Sequence, residues 1–409
     1  MRAIAAAALA ASLAAPLAAQ DLTGHGGPVG ALAAEGGRVI SGSFDTRAIL
    51  WDGAAVARVL RFHDGAVTAV ALLPDGALAT GGQDGRVALW GAATAPVRVT
   101  AEHRAPVGVI AAAPGGVVYA GGWDGLLQRI DPSTGAATVE AAHRGRIAGL
   151  AVLEGRRVAS VGADLRLAVR DGEGALVAAA DLPAQPNGMA PVDGLLAVVF
   201  ADGALRLFTP EGAIRPERFL SERPLVTVAG GAGVVAAAAV DGSVWVLSLP
   251  DLAPRHRIAP GQGPVWSLAI AGDTLLTGGA DGVIRRWSLA SGAPLGTSAP
   301  PAAEAFDDGS RGAQVWRACA VCHSLTPDGG NRAGPSLHGI FGRRIGTLPG
   351  FDYSEALRGM SIVWTPETVA ALFEHGPEAY TPGTRMPEQR LPDPEDRRAL
   401  TEFLARVTQ

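Results

Sequence analysis

The sequence predicts a multidomain protein, in which an all-β seven-bladed propeller is followed by a small all-α domain. Two observations predict this order. A unit of about forty residues recurs between Asp21 and Leu289, and helical patterning replaces strand alternation after residue 306. At 409 residues, the chain is long enough for two or three domains with separate cores.

An aspartate that closes a short turn marks each repeat, and a short apolar strand follows it. These aspartates lie 38 to 40 residues apart, at Asp45, Asp84, Asp124, Asp164, Asp202, Asp241 and Asp281. Five of them precede glycine, which is the strongest short hairpin signal. The strands are apolar on both sides, as in Val87–Trp90, so we expect both faces to be packed. The count of marked turns predicts seven blades.

The details of the repeat resemble those of the WD-repeat family. His25, His63, His103 and His143 each precede the first strand of a unit; Ser41, Thr80, Ser160 and Thr277 end the next strand; Trp51, Trp90 and Trp287 end the third. The resemblance implies a hydrogen-bonded His–Asp–Ser/Thr–Trp set, complete in the first two units only. The units around Asp202 and Asp241 lack both His and Trp, so their boundaries are the least defined. Because each His has the same place in its own blade, we expect no shared metal site.

The stretch that predicts chemistry is Cys319-Ala-Val-Cys322-His323. Two thiols three positions apart on a helical turn share one face, so both can reach the vinyl groups on one edge of a porphyrin. His323 would then be the proximal ligand of the iron. The alternatives are two buried apolar cysteines or a redox or zinc CxxC. They are disfavoured because the chain has two cysteines in all and no thioredoxin-like βαβ context. We therefore predict one haem c, attached through Cys319 and Cys322.

From residue 307 onward, the sequence resembles class I c-type cytochromes of the mitochondrial and α-proteobacterial kind. The segments that carry this resemblance are Gly312 and Trp316, Gly334–Arg343, Gly350–Ala356, Trp364-Thr365, Pro382–Met386 and Ala399–Leu404. Several independent motifs occur in the family's order, and together they cover the last hundred residues.

This resemblance also implies the surroundings of the haem. The sulfur of Met386, on a Gly/Pro-shaped loop, would be the sixth iron ligand, with His375 as its rival. The carbonyl of Pro335 should accept a hydrogen bond from His323 and fix its tautomer. Three further side chains should hold the haem propionates, and Thr384 belongs to the loop that holds Met386. The propionate partners are Arg343, Tyr353 and Trp364.

Two departures from the cytochrome pattern stand out. Phe373 occupies a position where the family often has a buried Tyr near the methionine sulfur. The chain contains no lysine, so the ring of lysines with which family members dock their oxidases is missing. The redox partner of this protein is therefore not predictable from the resemblance.

The ends of the propeller have a different composition. Residues 1–19 have the pattern of a signal peptide, with Met1-Arg2, an Ala/Leu run and small residues before the expected cleavage after Ala19. We place the propeller at 20–292, a Pro/Ala-rich linker at 293–306 and the cytochrome domain at 307–409. The segment Pro294-Leu295-Gly296-Thr297 can still add the last outer strand of blade seven. No later stretch is long and apolar enough to span a bilayer, so with the signal peptide removed we expect a soluble, exported periplasmic protein. An uncleaved export segment that acts as an anchor is the alternative.

A haem held by His323 and Met386 has no open position for a substrate, so it accepts and donates single electrons. We therefore expect a mono-haem electron carrier whose propeller is a docking platform for protein partners, including a periplasmic or membrane-bound electron donor and acceptor. The net charge of −5 disfavours nucleic acid as a partner.

The main alternative is a periplasmic oxidoreductase, with a substrate or cofactor site in the propeller and the cytochrome domain as built-in acceptor. A sensor or assembly factor that reports redox state is a third possibility. Residues 21–290 contain no paired carboxylates and no Ser/His/Asp order, which favours a non-enzymatic protein without excluding an enzyme. The funnel candidates Arg206, Arg285 and Arg286 are expected to be solvated charges at strand ends.

Overall fold

The computed structural model describes residues 20–231, 233–296, 306, 308–320, 322–326, 334–351, 353–384, 386 and 389–408. The predicted signal peptide, residues 1–19, and most of the predicted linker, residues 297–305, lie outside the described part of the chain. The domain boundaries therefore stay predictions.

Within the described residues, 28 strands form seven four-stranded antiparallel sheets, which confirms the predicted seven-bladed propeller. Blade one consists of β2 (Val29–Glu35), β3 (Arg38–Ser43), β4 (Arg47–Asp52) and β5 (Ala55–Arg61). Blade two consists of β6 (Val67–Leu72), β7 (Leu78–Gly82), β8 (Val87–Trp90) and β9 (Arg98–Thr100). Blade three consists of β10 (Val107–Ala112), β11 (Val118–Gly122), β12 (Leu126–Ile130) and β13 (Ala137–Ala141). Blade four consists of β14 (Ile147–Leu153), β15 (Arg157–Gly162), β16 (Arg166–Arg170) and β17 (Leu176–Asp181). Blade five consists of β18 (Pro186–Val192), β19 (Leu195–Phe200), β20 (Ala204–Phe208) and β21 (Ile214–Phe219). Blade six consists of β22 (Leu225–Gly231), β23 (Val234–Ala239), β24 (Val244–Ser248) and β25 (Ala253–Ile258).

Blade seven closes the ring with a strand from the start of the propeller sequence. Its sheet has the order β1-β28-β27-β26, with β26 (Val265–Ala271), β27 (Thr274–Gly279), β28 (Val283–Ser288) and β1 (Leu22–Thr23). Leu22 pairs with Ile284 and is fully buried. Of the residues 294–297 that were predicted to add the outer strand, Pro294 bridges to Trp287 and the amide of Leu295 donates to the carbonyl of Arg286 at 2.8 Å, so they share this edge with β1, while Thr297 lies outside the described residues. Pairing β1 with β28 joins the two ends of the propeller sequence within one blade.

The hydrogen-bonded set expected in the first two blades is present in both. In blade one, His25 Nδ1 donates to Asp45 at 3.0 Å, while His25 Nε2 and Trp51 Nε1 lie 2.7 and 2.8 Å from Ser41 Oγ. Blade two repeats this pattern, with His63 Nδ1 3.0 Å from Asp84 and both His63 Nε2 and Trp90 Nε1 on Thr80 Oγ1. Each set connects the segment before the first strand of its blade to the second and third strands.

Blade seven contains a set that the sequence did not predict. Gln262 takes the place of His, since its Nε2 donates to Asp281 at 3.2 Å and its Oε1 accepts from Thr277 Oγ1 at 2.6 Å. Trp287 Nε1 completes the set by donating to Thr277 at 3.0 Å. A glutamine amide can replace a neutral imidazole here because it also has one donating and one accepting end.

The described C-terminal elements are helical: α1 (Arg311–Trp316), α2 (Glu355–Gly359), α3 (Pro366–His375), α4 (Pro377–Tyr380) and α5 (Pro394–Val407). Helix α1 crosses α5 at close range, since a Cβ on Gly312 would lie 2.2 Å from the carbonyl oxygen of Ala399. Ser310 caps α1, a Thr365–Thr368 capping box begins α3, and Asp393 caps α5. None of the helices in the described residues is long and apolar enough to cross a membrane.

Candidate haem centre

A deep cleft lies among α1, α3, α5 and the loops between them, and it encloses about 1310 Å³ together with its open mouth. Its apolar wall is made by buried side chains of α3 and α5: Val369, Leu372, Phe373, Leu400 and Leu404. The cleft also exposes both cysteines, His323 and Met386. The structure therefore brings every predicted iron and thioether residue to one cavity.

The two cysteines lie on one turn that continues α1. The amide of Cys322 donates to the carbonyl of Cys319 at 3.1 Å, and the amide of His323 donates to the same carbonyl at 3.0 Å. Burial, with a smaller contribution from Cys322, raises the pKa of the Cys319 thiol to about 12. Such a thiol stays protonated, which is unlike the low-pKa cysteine of a redox CxxC.

His323 is oriented by the segment that follows the turn. Its Nδ1 lies 2.7 Å from the carbonyl oxygen of Pro335, and since a carbonyl only accepts, Nδ1 carries the proton. Nε2 is then the unprotonated nitrogen that can coordinate iron. Gly334 lies against the imidazole so closely that a Cβ there would be 2.2 Å from Cε1. The absence of a side chain at Gly334 is what allows this approach.

Met386 is held by a short network that starts at α4. The amide of Met386 donates to Thr384 Oγ1 at 3.1 Å, and the amide of Thr384 donates to the carbonyl of Thr381 at 3.0 Å. The buried Thr381 hydroxyl in turn donates to the carbonyl of Pro377 at 2.8 Å. The rival ligand His375 is exposed on α3, where it stacks on Tyr380 with ring centroids 6.3 Å apart.

Arg343, Tyr353 and Trp364, the predicted propionate partners, all line the cleft. Arg343 also has a second role, because its guanidinium donates to the carbonyls of Ser336 at 2.7 Å and His338 at 3.0 Å. Burial lowers the pKa of Arg343 and raises that of Tyr353. Sequence reasoning missed that Arg343 fastens the loop that follows Pro335.

These residues fit a covalently bound haem. Two thiols on one turn, an imidazole of fixed tautomer and a thioether sulfur face one cavity, and the wall between them is apolar. Phe373, which is 7% exposed, adds a hydrocarbon surface where the family often has a hydroxyl. In the described part of the chain, no group of three or more His, Cys, Asp or Glu side chains is placed to hold a further metal ion.

The arginines considered for a propeller site take part in structural contacts. Arg206 is 5% exposed, pairs with Asp202 at 2.8 Å and Glu217 at 2.7 Å, and stacks on Phe200. Arg285 pairs with Asp281 at 2.5 Å. The expectation of solvated strand-end charges is therefore wrong for both, because opposite charges within the same blade hold them.

Comparison with known proteins agrees with both halves of this architecture. Residues 309–408 match the family model described as cytochrome c, and residues 18–52 and 55–91 match the WD domain, G-beta repeat. A cytochrome c from Cochliobolus lunatus is 39% identical over 102 residues, which is 25% of this chain and 94% of that protein. A cytochrome c2 from Blastochloris viridis is 45% identical over 92 residues, covering 22% of this chain and 70% of that protein.

A solved structure described as the computationally designed Ika8 protein resembles this chain with a TM-score of 0.56. It shares 21% sequence identity over 69% of this chain and 91% of its own, and so supports the fold alone. With the cleft and the matched segments taken together, the chain belongs to the cytochrome c family, as an electron-carrying protein of covalently bound haem c that also bears a WD-repeat propeller.

Proposed function

We propose that this protein is an exported, periplasmic electron carrier, in which His323 and Met386 hold the iron and the propeller docks the protein partners. The observation that carries the site assignment is the 2.7 Å contact between His323 Nδ1 and the Pro335 carbonyl, on the same cleft as Met386. Covalently bound haem supplies the one-electron chemistry.

The chain's own residues set the conditions for that chemistry. The Pro335 carbonyl keeps the proton of His323 on Nδ1 and raises the basicity of Nε2. The hydroxyl of Thr384 fixes the position of the Met386 backbone. The wall of α3 and α5 excludes water, which disfavours the more highly charged oxidised state. Methionine ligation and an apolar shell both raise the reduction potential.

Docking is assigned to the end of the propeller that carries the turns between the second and third strands of each blade, called here the turn face. Trp123, in the β11–β12 turn, is 48% exposed, and Arg146 lies over its ring at 5.7 Å. Trp266, at the start of β26, is 39% exposed at the same end of blade seven. Exposed Trp and Arg side chains are typical anchors of protein interfaces.

The turn face also lies next to the haem cleft. Phe44, in the β3–β4 turn of blade one, is among the residues that line the cleft. A partner bound to Trp123 and Trp266 would therefore be held near the site of electron transfer. This placement favours a docked protein over a small substrate as the source of electrons.

The test uses the holoprotein and a Trp123→Ala/Trp266→Ala double variant, with Val177→Ala as the control. Val177 is 52% exposed on the outer strand β17, away from the turn face. Periplasmic and membrane fractions of the source cells serve as reductant, and the rate of haem reduction is followed by absorbance. We expect the double variant to be reduced severalfold more slowly and Val177→Ala to match the wild type.

Two results would contradict the proposal. Equal rates for the double variant and the wild type would remove the turn face as the docking surface. Reduction of the purified protein by a small organic substrate, with no partner present, would replace the carrier with the oxidoreductase alternative. Sequencing the N-terminus of the exported protein tests the expected cleavage after Ala19.

A further inference from the structure

We infer that Phe44 closes part of the haem cleft, so that the propeller forms a wall of the redox site and controls the access of water and small reductants to it. This inference rests on the proposed haem site. Among the described residues, every other one that lines the cleft lies between Trp316 and Leu404, so Phe44 is the contribution of the propeller.

Phe44 is well suited to this role because its turn is fastened from several sides. Its own amide donates to the carbonyl of Pro28 at 3.0 Å, and the hydroxyl of Ser43 donates to the carbonyl of Gly27 at 3.0 Å. The next residue, Asp45, accepts from His25 and from the amide of Gly26 at 2.8 Å. The backbone that carries the ring is therefore held by contacts within the propeller.

The ring lies close to a glycine in the innermost strand. A Cβ on Gly30, at the bulge of β2, would lie 3.3 Å from Cε2 of Phe44. Blade three repeats this arrangement, because a Cβ on Gly108 would lie 2.9 Å from Nε1 of Trp123. The other residues that precede a marker aspartate are not aromatic: Gln83, Ala163, Ala201, Val240 and Ala280.

The aromatic side chains of these two turns, Phe44 and Trp123, have different surroundings. Phe44 is half-buried and lines the cleft, whereas Trp123 is 48% exposed. An aromatic ring at the mouth of the cleft replaces water with hydrocarbon, which disfavours the oxidised haem with its extra positive charge. It also narrows the path by which a small reductant reaches the haem edge.

The matched variants are Phe44→Ala and Gln83→Ala, both in the full-length holoprotein. Ascorbate, which gives one electron to the ferric iron, is the probe. We expect Phe44→Ala to be reduced severalfold faster by ascorbate and to have a lower reduction potential than the wild type. Gln83→Ala shortens an exposed side chain at the equivalent turn of blade two, which does not line the cleft, and should change neither quantity.

A second measurement does not depend on truncating the ring. In protein with isotope-labelled phenylalanine, the ring signals of Phe44, assigned by their loss in Phe44→Leu, should shift and broaden when the haem iron is oxidised to its paramagnetic form. Signals that stay unchanged on oxidation would overturn the inference, as would identical ascorbate rates and potentials in all three proteins. These outcomes differ from failure of the proposed function, in which no haem would be attached or the iron ligands would be others.

Discussion

At the proximal side of the cleft, one missing methyl group allows the imidazole and its loop to meet. Gly334 lies so close to His323 that any side chain would reach the ring, while the next residue, Pro335, holds the ring nitrogen. On the distal side, Met386 depends on a hydroxyl two positions earlier, on Thr384. Both proposed iron ligands are therefore positioned by hydrogen bonds with their immediate neighbours in sequence or space.

Replacing Met386 with alanine should remove the sixth ligand and open the iron to added carbon monoxide or imidazole. The reduction potential should fall, because a methionine sulfur stabilises the reduced iron. Met360→Ala is the control, since Met360 caps the C-terminal end of α2 and does not line the cleft. Absorption spectra and potentiometry measure both effects. A low-spin spectrum and a potential that match those of the wild type would show that another residue is the sixth ligand of the iron.

Replacing Gly334 with alanine should displace His323, because the added Cβ would lie within 2.2 to 2.6 Å of three ring atoms. Overpacking of this kind costs about 1–3 kcal/mol in the free energy of unfolding. We expect a lower yield of haem-loaded protein and weakened axial ligation. In Gly359→Ala the added methyl group meets open space, so this variant should load haem normally. Equal haem content in the two variants would show that the loop around Gly334 can accommodate the added methyl group without displacing His323.

At the scale of the elements, the propeller is stabilised by repeated buried networks and by the closure of its ring. Burial alone would raise the pKa of Asp84, but the hydrogen bond and charge of His63, with donors from Asp64 and Arg86, hold that pKa well below its usual range. Asp45 has the same direction of shift through His25. Both carboxylates therefore favour the folded state as long as they stay ionised.

The free energy of unfolding of the propeller should therefore decrease at acid pH. Because the folded-state pKa values of Asp45 and Asp84 are depressed, their contribution is complete above the unfolded value of about 4 and is lost as the pH falls below it. Asp84→Asn should lower the free energy of unfolding by about 1–3 kcal/mol at neutral pH and flatten its decline between pH 5 and pH 2.

The matched control for this change is Asp241→Asn. Asp241 is exposed at the equivalent turn of blade six and accepts from the amide of Ser243 at 2.9 Å, which an asparagine oxygen can also do. Denaturant unfolding followed by intrinsic fluorescence at several pH values measures both variants. The same loss of stability in Asp84→Asn and Asp241→Asn would show that the histidine network adds nothing.

Closure of the ring can be tested at adjacent positions of β1. Leu22 is fully buried against blade seven, whereas the neighbouring Thr23 faces solvent. Leu22→Ala should lower the free energy of unfolding of the propeller by about 2–5 kcal/mol, and Thr23→Ala by much less. Thermal unfolding compares the two. Similar melting temperatures for both variants would mean that β1 is not required to close the ring.

Features encoded by local spacing could be predicted from the sequence, and features created by distant contacts could not. The seven aspartates and the Cys319–His323 motif each fix a short structure, so blade number and haem attachment followed from them. The replacement of His by Gln262 was not visible because it depends on the shape of a buried network. The closing strand Leu22–Thr23 is two residues long, too short for any periodicity. Phe44 was missed since its contact joins regions almost 300 residues apart.

At the scale of the whole molecule, we propose that two unlike domains share the task of electron transfer. The helical domain holds the haem, and the turn face of the propeller carries the exposed Trp123 and Trp266 as well as Phe44, which lines the cleft. The propeller would then select the partner and limit unspecific electron loss, while the cytochrome domain transfers the charge. Neither role requires an open coordination position on the iron.

The most direct test of the central claim is the intact mass of protein produced in cells that assemble c-type cytochromes. We predict the mass of the mature chain plus one haem, stable to denaturation, together with its loss in a Cys319→Ser/Cys322→Ser double variant. A mature protein without a tetrapyrrole adduct, or an adduct that persists in the double variant, would contradict the claim that Cys319 and Cys322 bind the redox group of this protein.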